Sequence, residues 1–138
     1  MQIDNKLRIT AIVSLLVTGF AATYGGWVLI ADPSGQKLQI PLALLEKTPF
    51  KDYFFPGVVL FVLIGLCSLL VAYLTIVKNK YHTWLILLQG CFLIGWLTIE
   101  LMLNIDFFTP ILHYPLYAIG ILLITIGYIE RKHSTLKK

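Results

Sequence analysis

Charge is what this sequence has least of. Asp, Glu, Lys and Arg make up 13% of its 138 residues, where an ordinary soluble domain carries about 25%. The shortage is concentrated: residues 9–31, 53–77, 81–99 and 107–129 contain none of the four. Nor do these stretches show a polar stripe at the helical period, which a soluble bundle needs on its water-facing side. A soluble helical domain is therefore excluded. Also missing are a Gly-rich phosphate loop, an HExxH pair, a nucleophile elbow and a CxxCH haem attachment, and with them the common signatures of nucleotide, metalloprotease, hydrolase and c-type haem chemistry. The two cysteines, Cys67 and Cys91, have neither a CxxC spacing nor a neighbouring base, and read as small buried hydrophobes rather than a redox pair.

What is present is apolar length. Hydrophobic residues are 58% of the chain, and a hydrocarbon core about 30 Å thick is crossed by about 20 residues of helix. The expected fold is an all-α membrane protein, a four-transmembrane-helix antiparallel bundle. Its spans are placed at 7–31, 56–77, 81–104 and 110–129, with an outer loop at 32–55, a short interfacial helix at 41–47 and a tail at 130–138. The first charge-free run exceeds the apolar core of about 7–15 residues in a signal peptide and has no small-x-small cleavage site before Asp32, so a retained helix is expected.

Positive charge sets the orientation. Lys6, Arg8, Lys78, Lys80, Arg131, Lys132, Lys137 and Lys138 fall on one side of the spans, against Lys37, Lys47 and Lys51 on the other, where Asp32, Glu46 and Asp52 offset them. Basic residues near span ends stay cytoplasmic, which places both termini inside. The net charge of +4 then needs no nucleic acid to explain it; the expected partner is the lipid bilayer, whose anionic headgroups the basic tail can meet.

Within the spans, small residues recur on helix one, with Gly19, Ala22 and Gly26 as the helix-packing candidates and a homodimer or another membrane protein as the partner they suggest. Asp32-Pro33-Ser34-Gly35 is a turn signature. Leu38 and Ile40 alternate with polar residues as in an extended piece, and Phe50, Tyr53, Phe54 and Phe55 form an aromatic belt. A loop this apolar is expected to fold back as a lid. Thr109 reads as the N-cap of helix four, with Pro110 at its first position and Pro115 inside it.

Glu100 is the most informative side chain, since an ionisable group inside a span faces protein rather than lipid. At 100° per residue Gln89, Trp96 and Glu100 fall in one stripe of helix three, with Asn104 nearby. Glu100 and His113 are equidistant from the turn between helices three and four, so they share a depth and form a candidate ligand or proton site with Gln89, Trp96 and Asn104. One Glu and one His fall short of the usual three or four metal ligands, and with His113 the only histidine inside a helix no haem or other cofactor is expected.

Asp32-Pro33-Ser34-Gly35, Pro41-Leu42, Leu44-Leu45, Thr48-Pro49-Phe50, Asp52-Tyr53, Pro56-Gly57, Gln89-Gly90, Gly95-Trp96 and Glu100 together resemble an uncharacterised family of small bacterial four-helix integral membrane proteins. The resemblance covers nearly the whole chain and implies a bacterial cytoplasmic membrane and an outer loop that is a family feature. It brings no activity with it. The general layout is similar to that of the DoxX-like proteins, an analogy of fold alone. Three functional readings follow: a non-catalytic structural, accessory or partner-binding bundle first; a small-ligand, lipid-headgroup, proton or ion-handling protein with a site under the outer loop second; and an enzyme third, because no nucleophile-and-base set is visible.

Overall fold

The computed structural model describes residues 2–136; Lys137 and Lys138 of the expected tail lie outside the described residues. Four helices carry the chain: α1 (Gln2–Ala31), α2 (Phe54–Ile76), α3 (His82–Leu103) and α4 (Pro110–Leu136), with no strand among the described residues. Each contains a stretch long and apolar enough to cross a membrane. Four helices in succession, each reversing the direction of the last, place the described ends of the chain at one end of the bundle and the 32–53 segment at the other.

The bundle is built as two hairpins, α1 with α2 and α3 with α4, joined more loosely through α1–α4 and α2–α3 contacts. Between apolar helices in lipid the hydrophobic effect supplies no drive, so close packing and internal hydrogen bonds must hold them. Glycines supply the closeness. A Cβ at Gly26 would lie 2.5 Å from the Phe61 backbone nitrogen, and one at Gly65 would lie 2.8 Å from the backbone nitrogen of Thr23. In the second hairpin Gly90 faces the Gly120 carbonyl, and Gly127 faces the Leu87 backbone. Gly19 sits against Leu69, and Ala22 joins Ile64, Leu93, Trp96 and Leu97 in a buried layer. The small-residue stripe of α1 is thus occupied by α2 of the same chain, not left open for a second copy.

A deeper layer of Ala11, Leu15, Val71, Ala72, Ile86, Leu123 and Ile126 draws on all four helices. Outward-facing positions are apolar as well, including Val13, Val17, Phe20, Leu70, Ile121 and Leu122, as a lipid solvent requires.

Several boundaries differ from those read off the sequence. Helix α4 runs on through residues expected as tail, because nothing between Glu130 and Leu136 breaks a helix and the Thr135 hydroxyl bonds back to the Arg131 carbonyl. Pro115 does not interrupt it. The 41–47 helix is reduced to a 3₁₀ turn at Leu42–Leu45, and the expected extended piece is a 3₁₀ turn at Gln36–Leu38, closed by Gln39 at φ 57° and by the Ile40 N–H on the Gly35 carbonyl. Leu38 and Ile40 are then both turned onto the lid core rather than to opposite faces of a strand.

That lid is a packed structure. Leu29, Leu45 and Tyr53 are buried together, with Leu38, Ile40, Phe50, Leu60 and Phe107 against them. Gly35 takes the positive φ (77°) that the Asp32–Gly35 turn needs. Asp32 accepts from the Ser34 hydroxyl at 2.5 Å and the Lys37 N–H at 2.9 Å, and these bonds hold its carboxyl below the usual range. Tyr53 lies in the lid core instead of an exposed belt; its hydroxyl donates to the Pro41 carbonyl at 2.6 Å, and burial pushes the phenol up to about 12.

Candidate functional site

The stripe Gln89, Trp96, Glu100 and Asn104 does face protein, but it divides into separate tasks. Gln89 lies 11 residues below Glu100 in sequence, about 16 Å along the helix axis, and is 3% exposed. Its amide donates to the Leu63 carbonyl at 3.1 Å, the Ser68 hydroxyl at 2.9 Å and, more weakly, the Ile64 carbonyl at 3.5 Å. These carbonyls belong to a π-helical segment, Leu60–Leu66, within α2. A π turn displaces carbonyls from ordinary helical partners, and within a membrane they must be met by protein. Gln89 meets them, which makes it a structural residue.

Asn104 ends α3. Its side-chain oxygen accepts from the Asp106 N–H at 3.0 Å and its amide donates to the Leu44 carbonyl at 2.9 Å, fastening the lid to the α3–α4 turn. It acts on the lid and not on the carboxylate.

Trp96, Glu100 and His113 do come together. The His113 Nε2 atom is 3.7 Å from Glu100 Oε2. The indole of Trp96, one turn below, is the side-chain donor acting on the same carboxylate. His113 is 4% exposed and Trp96 9%, and neither His113 Nε2 nor Trp96 Nε1 has a hydrogen-bond partner. Buried polar nitrogens are nearly always bonded. Here both nitrogens lie against the Glu100 carboxylate.

The head of α4 fixes the imidazole. Thr109 does not cap the helix with its hydroxyl, which donates to the Phe107 carbonyl at 3.3 Å. Instead His113 Nδ1 lies 3.1 Å from the Thr109 N–H and 3.2 Å from the Thr109 carbonyl, and the tautomer of the ring decides which of the two it bonds; the carbonyl also accepts from the Leu112 and His113 N–H groups at 3.0 and 2.8 Å. His113 is the cap, and Phe108 covers its ring at a centroid distance of 5.4 Å. Sequence spacing carried the depth match of Glu100 and His113 but not this capping role, which depends on how the chain turns at Phe107–Thr109.

A second acid–imidazole pair at the opposite end of the same hairpin went unread in the sequence. Glu130 is buried, and its carboxylate lies 3.7 Å from His82 Nε2, while His82 Nδ1 donates to the Asn79 carbonyl at 2.6 Å. The depth rule that pairs residues 100 and 113 also matches 82 with 130; the signal was there but was hidden by assigning Glu130 to the tail. Beside this pair, Arg131 stacks over Trp84 and Lys80 over Tyr81, at 4.9 and 4.8 Å. Cys67 and Cys91 are both free thiols, the latter exposed.

No protein-family model, curated protein or solved structure matches the chain. The described residues form an all-helical protein with four apolar helices suited to a membrane, in which the Glu100 carboxylate meets the His113 imidazole and the Trp96 indole.

Proposed function

We propose that this protein is a non-catalytic, multi-pass binding protein of a bacterial cytoplasmic membrane, and that its site is the cluster of Glu100, His113 and Trp96. The observation that carries this is the Glu100 carboxylate, inside an otherwise apolar span, set 3.7 Å from the His113 imidazole with Trp96 as a donor beside it while its own side chain stays 30% exposed. The lid lies outside and both termini are cytoplasmic, a reading supported by Lys6, Arg8, Lys78, Lys80, Arg131 and Lys132 gathering at the end opposite the lid. The structural or accessory reading draws on Gln89 and Asn104, both spent on internal bonds. It leaves Glu100, an ionisable group inside a span, without a task.

The test is native mass spectrometry and thermal unfolding of the full-length protein, wild type and Glu100→Leu, with and without total membrane lipid extract. Wild type is expected to retain a small non-covalent adduct or to gain stability from the extract, and Glu100→Leu to lose that response. A wild type that carries nothing and gains nothing would leave a purely structural bundle as the answer.

A further inference from the structure

Independently of the Glu100 cluster, we infer that the end of the bundle opposite the lid carries a docking site for the phosphate headgroup of an anionic glycerophospholipid, built by Lys80 and Arg131 on the rings of Tyr81 and Trp84. Arg131 Cζ lies 4.9 Å from the centre of the Trp84 ring, and Lys80 Nζ lies 4.8 Å from that of Tyr81. At such distances a cation is attracted by the ring face. Among the described residues the other Lys and Arg side chains of this end, Lys6, Arg8, Lys78 and Lys132, sit on no ring. Two charges are therefore held in place where the others are not.

The α3–α4 hairpin brings them together. Tyr81 and Trp84 stand three residues apart at the head of α3, on one side of it, and Arg131 of α4 reaches the second of these rings. Asn79 fixes the turn that carries Lys80. Its side-chain oxygen accepts from the Tyr81 N–H at 3.0 Å, and its carbonyl accepts from the His82 N–H at 3.0 Å and from His82 Nδ1 at 2.6 Å. The other nitrogen of that imidazole faces Glu130 at 3.7 Å. Glu130 is turned into the bundle and is 8% exposed, while Arg131, the next residue, is exposed. Among the described residues no carboxylate lies within ion-pair distance of Lys80 or Arg131. Both charges stay uncompensated by the protein.

Charge and depth together select the occupant. A guanidinium held over an indole still offers the N–H groups at its edge, and phosphate oxygens match that edge. Tyr81, Trp84 and Tyr128, the last one turn before Arg131, are all exposed, and rings of this kind gather where hydrocarbon meets headgroups. The two cations thus stand at the level of lipid phosphates. Seven residues further into the span from Trp84 and from Tyr128, Cys91 and Ile121 also face outward. An apolar surface therefore continues from the rings toward the midplane, where an acyl chain of the same lipid lies. A soluble anion would use the charges but leave the rings and the surface beyond them without a part.

The experiment places the full-length protein in phosphatidylcholine nanodiscs with a rising fraction of phosphatidylglycerol and reads the lipid it retains by native mass spectrometry. Wild type is expected to keep phosphatidylglycerol in preference to phosphatidylcholine. Lys80→Gln with Arg131→Gln should weaken that retention roughly 25-fold, at roughly 5-fold for each charge near the membrane surface; Lys6→Gln with Arg8→Gln should weaken it far less. Trp84→Leu leaves every charge in place and should weaken retention roughly 2- to 5-fold; it carries the test should the double variant not fold. Glu100→Leu should retain phosphatidylglycerol as wild type does, which separates this site from the cluster near the lid. Equal losses in the two double variants, or a Trp84→Leu protein that binds like wild type, would overturn the site in favour of diffuse attraction to a basic surface. Equal retention of the two lipids overturns the anionic headgroup. Displacement of the lipid by an equal concentration of glycerol 3-phosphate overturns the lipid source.

Discussion

Replacing glycines of α1 and α3 one at a time by alanine adds the same methyl group to four different surroundings. At Gly26 the new Cβ would lie 2.5–2.7 Å from the nitrogen, Cα and Cβ of Phe61. Backbone cannot rotate away, so α1 and α2 must part by about 1 Å to restore ordinary contact, loosening the layer beneath. Overpacking of this kind costs about 1–3 kcal/mol, against which alanine returns at most about 1 kcal/mol of helix propensity. The net expectation is a loss of about 1–2 kcal/mol. At Gly19 the methyl meets the Leu69 side chain at 2.6 Å, which can turn aside, and the Gly65 carbonyl only at 3.2 Å, so the loss is smaller. At Gly25 the nearest atom, Leu60 Cδ2, is 3.6 Å away, and at Gly95 nothing lies within 4 Å; these variants should be neutral or gain up to about 1 kcal/mol. Equilibrium unfolding in mixed detergent micelles measures the series, with sedimentation of each variant as a check on mass. Stability should fall in the order Gly95, Gly25, Gly19, Gly26. A flat series would refute the packing argument. A loss of dimer mass at Gly26→Ala with unchanged monomer stability would move the stripe from an internal contact to an intermolecular one.

Two further outcomes follow from polar contacts. Gln89→Leu should lower unfolding stability by about 1–3 kcal/mol, since it leaves the Leu63 carbonyl and Ser68 hydroxyl without their donor; adding Ser68→Ala should recover part of the loss, and a Gln89→Leu protein as stable as wild type would contradict the role given to the π segment. For Tyr53, the folded-state phenol is raised from 10.0 to about 12 by burial, so its contribution is complete below pH 10 and is lost as pH rises from about 10 toward 12. Lid cleavage by an alkali-tolerant protease should accelerate across that window in wild type and not in Tyr53→Phe, whose lid is already weakened by loss of the bond to Pro41; parallel pH profiles for the two proteins would count against it.

Four spans, their approximate ends and the folding back of the 32–55 loop were legible in the sequence because they depend on quantities that are sums over neighbours in the chain: apolar length, charge-free runs and turn chemistry at Asp32–Gly35. The shared depth of Glu100 and His113 was legible for a similar reason, since two antiparallel helices joined by a short turn match residues at equal distances from it. What the sequence could not allot was each polar side chain's partner. Gln89, Glu100 and Asn104 share a stripe, yet one serves the α2 backbone, one faces the His113 imidazole and one serves the lid. That division depends on where α2 opens its π segment and how the lid lies across the bundle, and both are settled by packing between distant parts of the chain. The glycines of α1 likewise announce a close approach without saying to what; only the tertiary structure gives the approach to α2, because the short reach of dispersion forces rewards whichever backbone arrives first at contact.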